Sequence, residues 1–469
     1  MRRRLFSTDK KSSSFLLIGA LIPSSGLFVA NSLFVNSKDN SELIILYFQS
    51  VVAVVFGAVF FAPAWGRMSL KTEGEFIPYR FIGRGAVSLA RFRGLYLGLL
   101  ILPLAMAVSI QPLSEFLFSD LQSQRSFTIL TLSVLALNVF FNSLKNRIRI
   151  DSIIGYTTFL IALIYFIVRM IQGDVHHAQQ AKQLADWFHS VHLREVVLSL
   201  TVLWWFATIV DLPDMRGQLL LTSKDGSKSR RTLIYSFIIS YFIQGILLTF
   251  PLLYAARGAW DWLSYLFLTL LIINAFQAMF STNHWTASLI YSGVIRPLLT
   301  HDNYERLFGI GAMFLGLIIS ALWLMLDQTT ADLFATILLF TAGVGPVFIA
   351  RWFWSKVNAQ TVLSAMIGAP LIWMLWLVVK QTEVYPSILT LLGLSESFVD
   401  ILIPGIANTL VWLITMLVTR NEEEVLHAKQ WINEVGPYRE MRDLKNWILF
   451  FGLTLLSGLI LFGPTLVMR

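Results

Sequence analysis

Residues 14–35 read SFLLIGALIPSSGLFVANSLFV, a run of apolar and small polar side chains that contains no charge. A helix rises about 1.5 Å per residue, so roughly 20 residues of this kind cross the ~30 Å hydrocarbon core of a bilayer. Twelve similar stretches follow, near residues 42–64, 94–112, 126–144, 151–172, 194–213, 232–256, 262–294, 306–326, 330–350, 361–379, 397–419 and 446–467. The pattern predicts an all-α polytopic membrane protein with about thirteen transmembrane helices.

The overall composition supports the same prediction. Hydrophobic residues make up 56% of the chain and charged residues 14%, which would leave a soluble protein covered with apolar patches. The longest hydrophilic stretches, 65–93, 173–193 and 420–445, are each too short to bury a core of their own. Because the chain has no cysteine, disulfides, thiolate metal sites and cysteine nucleophiles are excluded.

The distribution of basic residues predicts how the chain is oriented. Its formal net charge of +8 would by itself also suit a nucleic-acid-binding protein. If the N-terminus lies in the cytoplasm, 28 of the 36 Lys and Arg residues fall in cytoplasmic segments. This bias is typical of multi-pass proteins of the cell (inner) membrane, and it argues against nucleic acid as a partner. Thirteen crossings then place the C-terminus on the periplasmic or extracellular side, with membrane lipid around the helices.

The first apolar stretch carries Pro23 and Gly26 near its middle, within the segment IPSSGL at 22–27. Proline removes a backbone donor and glycine loosens the helix, and carbonyls freed inside a membrane must contact protein, water or a cation. The stretch is therefore either a broken, ion-coordinating helix or a simple kink packed against its neighbours.

A second candidate site lies in the eighth stretch. Ala278, Ser281 and Thr282 are spaced i, i+3 and i+4, so they share one helical face. Two hydroxyls and a carbonyl, together with carbonyls of a broken helix, would suit sodium, because hard cations prefer oxygen ligands. Alternatively, the hydroxyls bond to their own i−4 carbonyls or allow helices to pack closely.

Ionisable side chains inside the stretches are further candidates, because burying a charge in a membrane is costly. Asp151 begins the fifth stretch directly after Lys145, Arg147 and Arg149, so a local ion pair explains it as well as a functional role does. His284 would suit a proton relay, a substrate contact or a hydrogen-bonded packing role.

Aromatic pairs and catalytic motifs bear on the class of function. Trp204 and Trp205 would suit either stacking on a sugar ring or anchoring a helix at the membrane interface. The sequence has no Gly-rich phosphate loop, HExxH motif or GxSxG motif with triad partners, so an enzyme is not expected. A membrane-embedded transferase using His284 would need a donor-binding loop, which the sequence does not contain.

Several segments, taken in order, are similar to one family of membrane proteins. They are AGVGPVFIARWFWSKVNA at 342–359, TEGEF at 72–76, FRGLYLG at 92–98, the Trp pair at 204–205, Gln218 and SKD at 223–225. Together they resemble the sodium:solute symporter family, which contains sodium-coupled carriers of sugars, proline and pantothenate. The Trp pair with Gln218 resembles a bacterial subgroup of that family.

The resemblance implies a LeuT-type core of two inverted five-helix repeats, at about 14–172 and 194–357. These repeats make a ten-helix core at 14–357, preceded by a basic cytoplasmic segment at 1–13. Three additional transmembrane helices would follow in 358–469. The usual extra N-terminal helix of the family is absent from this sequence, which fits the count of thirteen and the cytoplasmic N-terminus.

The resemblance also implies a set of site residues. The sodium ligands would be the carbonyls of Ser24, Leu27 and Ala278 and the hydroxyls of Ser281 and Thr282. Asp151 matches an acidic residue thought to help sodium leave or bind. The candidate substrate-binding residues are Ser25, Asn31, Tyr47, Gln49, Trp204, Trp205, Gln244 and His284.

The expected function is a sodium-driven symporter that moves a small polar organic solute, such as a sugar, amino acid or carboxylate, by alternating access. Two departures from the family favour an alternative, a symporter-like membrane subunit or sensor that does not transport. The extra N-terminal helix is missing, and Leu219 stands where the subgroup has Arg after the glutamine. The retained Ser281-Thr282 pair favours the symporter. A third departure, Ala30-Asn31 in place of an acidic residue of the first helix, bears on the substrate. The sequence does not indicate any protein partner.

Overall fold

The computed structural model describes residues 6, 12–24, 52, 54–139, 143–171, 215–223, 225–257, 262–299, 304–326, 333, 336–337, 340–394, 396–419 and 421–467. Regular structure within these residues is helical throughout. Five helices of this part are long and apolar enough to cross a membrane, namely Gly83–Glu115, Leu144–Val168, Glu305–Leu324, Ala359–Lys380 and Val399–Val418. The all-α polytopic prediction is confirmed.

We number the described α-helices in chain order. They are α1 Ser14–Ser24, α2 Ala62–Arg67, α3 Phe76–Arg80, α4 Gly83–Leu95, α5 Leu102–Leu117, α6 Leu121–Asn138, α7 Leu144–Ile171, α8 Met215–Leu220, α9 Gly226–Arg257, α10 Trp262–Ile290, α11 Glu305–Leu324, α12 Gly345–Ala350, α13 Ala359–Lys380, α14 Val384–Leu392, α15 Glu396–Val418, α16 Glu422–Val435, α17 Tyr438–Arg442 and α18 Leu444–Val467. Three π-helical segments adjoin them: Gly57–Phe61 before α2, Tyr96–Ile101 between α4 and α5, and Tyr291–Ile295 after α10.

Short polar side chains cap several helices at their N-termini. The carboxylate of Asp225 accepts hydrogen bonds from the backbone N–H of Ser227 at 3.0 Å and of Lys228 at 3.2 Å, which starts α9. These donors lower the pKa of Asp225. Asn358 caps α13 in the same way through the N–H of Thr361, at 2.9 Å. Each cap satisfies backbone donors that the first turn of a helix leaves unpaired.

Several helices differ from the bounds predicted by the apolar pattern, and two of the differences bear on later sections. The fifth predicted stretch begins at 151, whereas α7 begins at Leu144 and so brings Arg147 into the helix. The tenth predicted stretch, 330–350, is interrupted by a turn at 342–344 before α12. Gly343 has φ 74° in that turn, and a Cβ there would lie 2.6 Å from the Gly405 carbonyl oxygen. A left-handed glycine in close contact with α15 explains the interruption.

Helices α1, α7 and α10 pack against one another and position the candidate site. The crossing of α1 and α7 depends on small residues. A Cβ on Gly19 would lie 2.8 Å from Ser152 Cα, and a Cβ on Gly155 would overlap the Gly19 carbonyl oxygen. The two backbones are therefore in direct contact, as small residues permit in membrane helix pairs.

Candidate functional site

Ser281, one of the predicted sodium ligands on α10, lies where that helix contacts α7. Ser281 is buried, and its Oγ accepts a hydrogen bond of 2.8 Å from Nη2 of Arg147. The same guanidinium donates to the carbonyl oxygens of Gln277, at 2.9 Å, and Phe280, at 2.6 Å. Arg147 thus brings a positive charge onto the face of α10 that was predicted to hold sodium.

Asp151 lies one helical turn after Arg147 on α7. Its Oδ2 accepts a hydrogen bond of 3.2 Å from Arg147 Nε, and the two side chains are only 2% and 3% exposed. The local ion pair predicted as one explanation of Asp151 is therefore present. Removing either partner of a buried ion pair of this kind leaves an uncompensated charge, which is strongly destabilising.

Thr282 and Ala278 contact each other. Thr282 Oγ1 donates to the Ala278 carbonyl oxygen at 3.0 Å, which is the i−4 bond considered as the alternative to ion binding. Structure and sequence thus agree that these residues share a face, while the ligand role of the face remains a prediction.

The other predicted site residues are described in part or not at all. Ser24 ends α1 and Gln244 lies in α9, both with only their backbones described. Leu27, Ser25, Asn31, Tyr47, Gln49, Trp204 and Trp205 lie outside the described residues. His284 is buried on α10, and the Phe6 ring packs on it edge-on with a centroid distance of 5.1 Å. This contact fits the packing role considered for His284.

A second buried polar cluster joins five separated segments, one of them at Phe6. Glu73 is fully buried, and its carboxylate accepts from Arg93 Nη2 and, at 3.2 Å, from Trp285 Nε1. The Glu73 backbone N–H donates to Gln218 Oε1 at 2.7 Å, and Gln218 Nε2 donates to the Phe6 carbonyl at 3.0 Å. The segment around Glu73, α4, α8 and α10 are thereby held together on the predicted cytoplasmic side.

An aromatic and cationic layer covers the same side. The rings of Phe76, Trp352 and Trp431 are in mutual contact, with centroids 5.2 Å to 5.8 Å apart. Arg80 Nε donates to the Arg351 carbonyl at 2.8 Å, and its guanidinium lies over the Trp431 ring. Burial and the charge of Arg351 lower the pKa of Arg80 to about 9. We refer to this group of five residues as the inner layer.

Sequence reasoning did not predict that Arg147 contacts α10, although its spacing of four positions from Asp151 can be read from the sequence.

Sequence reasoning also did not predict a role for Asn408, which lies in an otherwise apolar stretch. Asn408 Nδ2 donates to the carbonyls of Ala342 and Ala365, each at 2.9 Å, and so connects α15 with α13 and with the turn before α12. A polar side chain within an apolar stretch was the available signal.

Comparison with known proteins establishes the fold. No family model matches this chain, and no curated protein does. Among solved structures, the chain is similar to a Na⁺-coupled sialic acid symporter in a substrate-bound, outward-open state, with a TM-score of 0.61 and 14% identity. The similarity covers 88% of this chain and 91% of that one. The chain has the LeuT-type fold.

Two other transporters match at lower TM-scores. Mhp1, a nucleobase-cation-symport-1 family transporter, gives 0.44 at 13% identity, over 93% of this chain and 96% of that one. A manganese transporter from Eremococcus coleocola gives 0.42 at 13% identity, over 99% of this chain and 98% of that one. These two scores are too low to support any conclusion about this chain. The three proteins named are a symporter and two transporters.

Proposed function

We propose that this protein is a secondary active transporter of the cell (inner) membrane, which couples sodium entry to the entry of a small polar organic solute by alternating access. The solute class is a sugar, an amino acid or a carboxylate. The orientation is the predicted one, with a cytoplasmic N-terminus and an external C-terminus. This proposal goes beyond the fold, because folds of this kind serve several transport functions.

The observation that carries the proposal is the buried cation-binding face on α10. Neutral oxygens of Gln277, Phe280 and Ser281 converge on one positive group, and the contact lies where α10 packs against α7. A face that satisfies a guanidinium with neutral oxygens has the chemistry that a monovalent cation requires. The carbonyls of Ser24 and Leu27 and the remaining ligands Ala278 and Thr282 would complete the sodium site, and Asp151 would assist ion exchange.

Sodium would act through its different affinity for the two conformations. An ion that binds the outward-open state more tightly shifts the population toward the state that accepts solute. The candidate substrate residues lie mainly in segments outside the described residues, so the solute is to be found by screening.

The test is uptake into proteoliposomes. The purified protein is reconstituted and supplied with labelled glucose, proline, pyruvate and sialic acid, with and without an inward sodium gradient. We expect one class to accumulate, and a sodium ionophore to abolish the accumulation. The double variant Ser281→Ala/Thr282→Ala should reduce sodium-driven uptake of the same solute.

The alternative is a symporter-like subunit or sensor that does not transport. One observation favours it, since Leu219 stands where the symporter subgroup that the sequence resembles has Arg. Folded, reconstituted protein that accumulates nothing across the panel would contradict the transporter proposal and support this alternative.

A further inference from the structure

Ser281, one of the predicted sodium ligands, already has a cationic partner. Arg147 Nη2 donates to Ser281 Oγ and to the Gln277 carbonyl, and Nη1 donates to the Phe280 carbonyl, at 2.6 Å to 2.9 Å. All three acceptors are uncharged oxygens of the kind that bind sodium in proteins. The guanidinium therefore fills the position of a monovalent cation on this face.

The charge of Arg147 is balanced within the same cluster. Asp151 accepts from Nε at 3.2 Å, so the buried pair is neutral as a whole. A sodium ion at Ser281 would add a second positive charge against a single carboxylate. Two like charges about 4 Å apart repel strongly at the low effective dielectric of a protein interior. Sodium and the seated guanidinium therefore exclude each other.

The other ligands of α10 are satisfied in this arrangement. The Ala278 carbonyl accepts a hydrogen bond of 3.0 Å from Thr282 Oγ1, so these two predicted ligands are bonded to each other. The carboxylate of Asp151, by contrast, has an Oδ1 that accepts no hydrogen bond from a described residue. This spare acceptor gives the guanidinium a second place to bind, since a carboxylate can hold arginine through both oxygens.

We propose that Arg147 is a tethered cation that occupies the sodium-binding face of α10 and thereby sets the affinity of the protein for sodium. Sodium binds at Ser281 only after the guanidinium has moved from α10 toward Asp151. The choice of sodium rests on the proposed function, whereas the exclusion itself rests on the contacts of Arg147.

The test measures sodium binding without solute. Wild type, Arg147→Gln and Arg147→Gln/Ser281→Ala are titrated with NaCl against choline chloride at constant ionic strength, with melting temperature and ²²Na⁺ binding as readouts. We expect Arg147→Gln to lower the sodium Kd by about tenfold or more, because the competing charge is gone. The added Ser281→Ala should abolish the gain. Arg149→Gln is the matched control, since Arg149 is exposed two residues further along α7.

An unchanged sodium Kd in a folded Arg147→Gln protein overturns the proposal. If that variant does not fold, Arg147→Gln/Asp151→Asn removes both charges and leaves no lone buried carboxylate. It must then show the same gain in sodium affinity, and the same Kd as wild type would refute the exclusion. Failure here is distinct from failure of the proposed function, because solute uptake by the wild type is measured separately.

Discussion

Glu73 and Glu75 are two positions apart, and each carboxylate pairs with an arginine. The Glu73–Arg93 pair is almost completely buried, whereas the Glu75–Arg296 pair, at 2.6 Å, is 20% and 39% exposed. Breaking a buried pair leaves a charge without solvent or partner, while an exposed pair contributes little. The two carboxylates therefore provide a matched comparison within one short segment.

We predict that Glu73→Ala destabilises the protein by roughly 3–5 kcal/mol, because it leaves Arg93 buried and unpaired. Glu75→Ala should cost about 1 kcal/mol or less. Thermal unfolding of the purified proteins in detergent, with wild type alongside, measures both. Equal losses of melting temperature in the two variants would contradict the assigned difference in burial.

Contacts of single residues could be predicted from the sequence where both partners are close together in the chain. Asp151 closely follows three basic residues in the chain, so a local ion pair was one expected explanation, and the structure pairs Asp151 with Arg147. The contact of Arg147 with Ser281 spans 134 positions and depends on how α7 and α10 pack. A single sequence contains no direct signal for such a contact.

At the scale of helices, the α1–α7 crossing depends on glycine at position 155. Its position admits no side chain because the Gly19 carbonyl oxygen occupies that space and Ile22 Cβ would lie at 3.1 Å. The methyl group of an alanine would push the two helices apart near the site. Gly311 on α11 offers the opposite case, since nothing lies within 4 Å of a Cβ there.

We predict that Gly155→Ala lowers the melting temperature and weakens sodium binding, because both α1 and α7 contribute residues to the proposed sodium site. Gly311→Ala should leave both unchanged or raise stability slightly, since alanine favours the helix over glycine by about 1 kcal/mol. Melting curves with and without sodium test the pair. A Gly155→Ala protein as stable as wild type would show that the two backbones do not touch.

Helix bounds were predicted less accurately than helix existence, for a physical reason. An apolar stretch is recognised as ending where charges begin, so 151 was predicted as the start of the fifth helix. In the structure α7 continues back to Leu144, because Lys145 and Arg149 are exposed and Arg147 is paired. The interruption at 342–344 was not predicted either, since glycines within an apolar stretch do not reveal a positive φ.

At the scale of the whole molecule, the fold followed from the number of apolar stretches and from the family resemblance, and the similarity to a known symporter confirms the LeuT-type core. What the pattern left open is the conformation. In the described residues the Glu73 cluster links α10 to α4 and α8 on the predicted cytoplasmic side, and the inner layer lies on the same side. If the protein works by alternating access, as proposed, these contacts separate at another point of the cycle.

We predict that a thiol placed beside these contacts becomes reactive when the protein cycles. Ser288 is buried on α10, its carbonyl oxygen lies 3.7 Å from the position of a Cβ on Gly74, and the chain has no cysteine. In Ser288→Cys, maleimide labelling should be slow at rest and faster with a transported solute. Exposed Ser227→Cys is the control and should react quickly in every condition. Fast labelling of Ser288→Cys at rest would contradict the burial of this position.

The contacts of Arg147 with α10 also have a consequence in terms of effective concentration. A group attached to the chain is present at its binding face at a local concentration on the order of millimolar or above, whatever the medium contains. If sodium competes with Arg147 for this face, as proposed, it competes against that fixed local concentration of guanidinium. The tether of Arg147 to the chain would thus set the sodium concentration at which sodium begins to occupy the face.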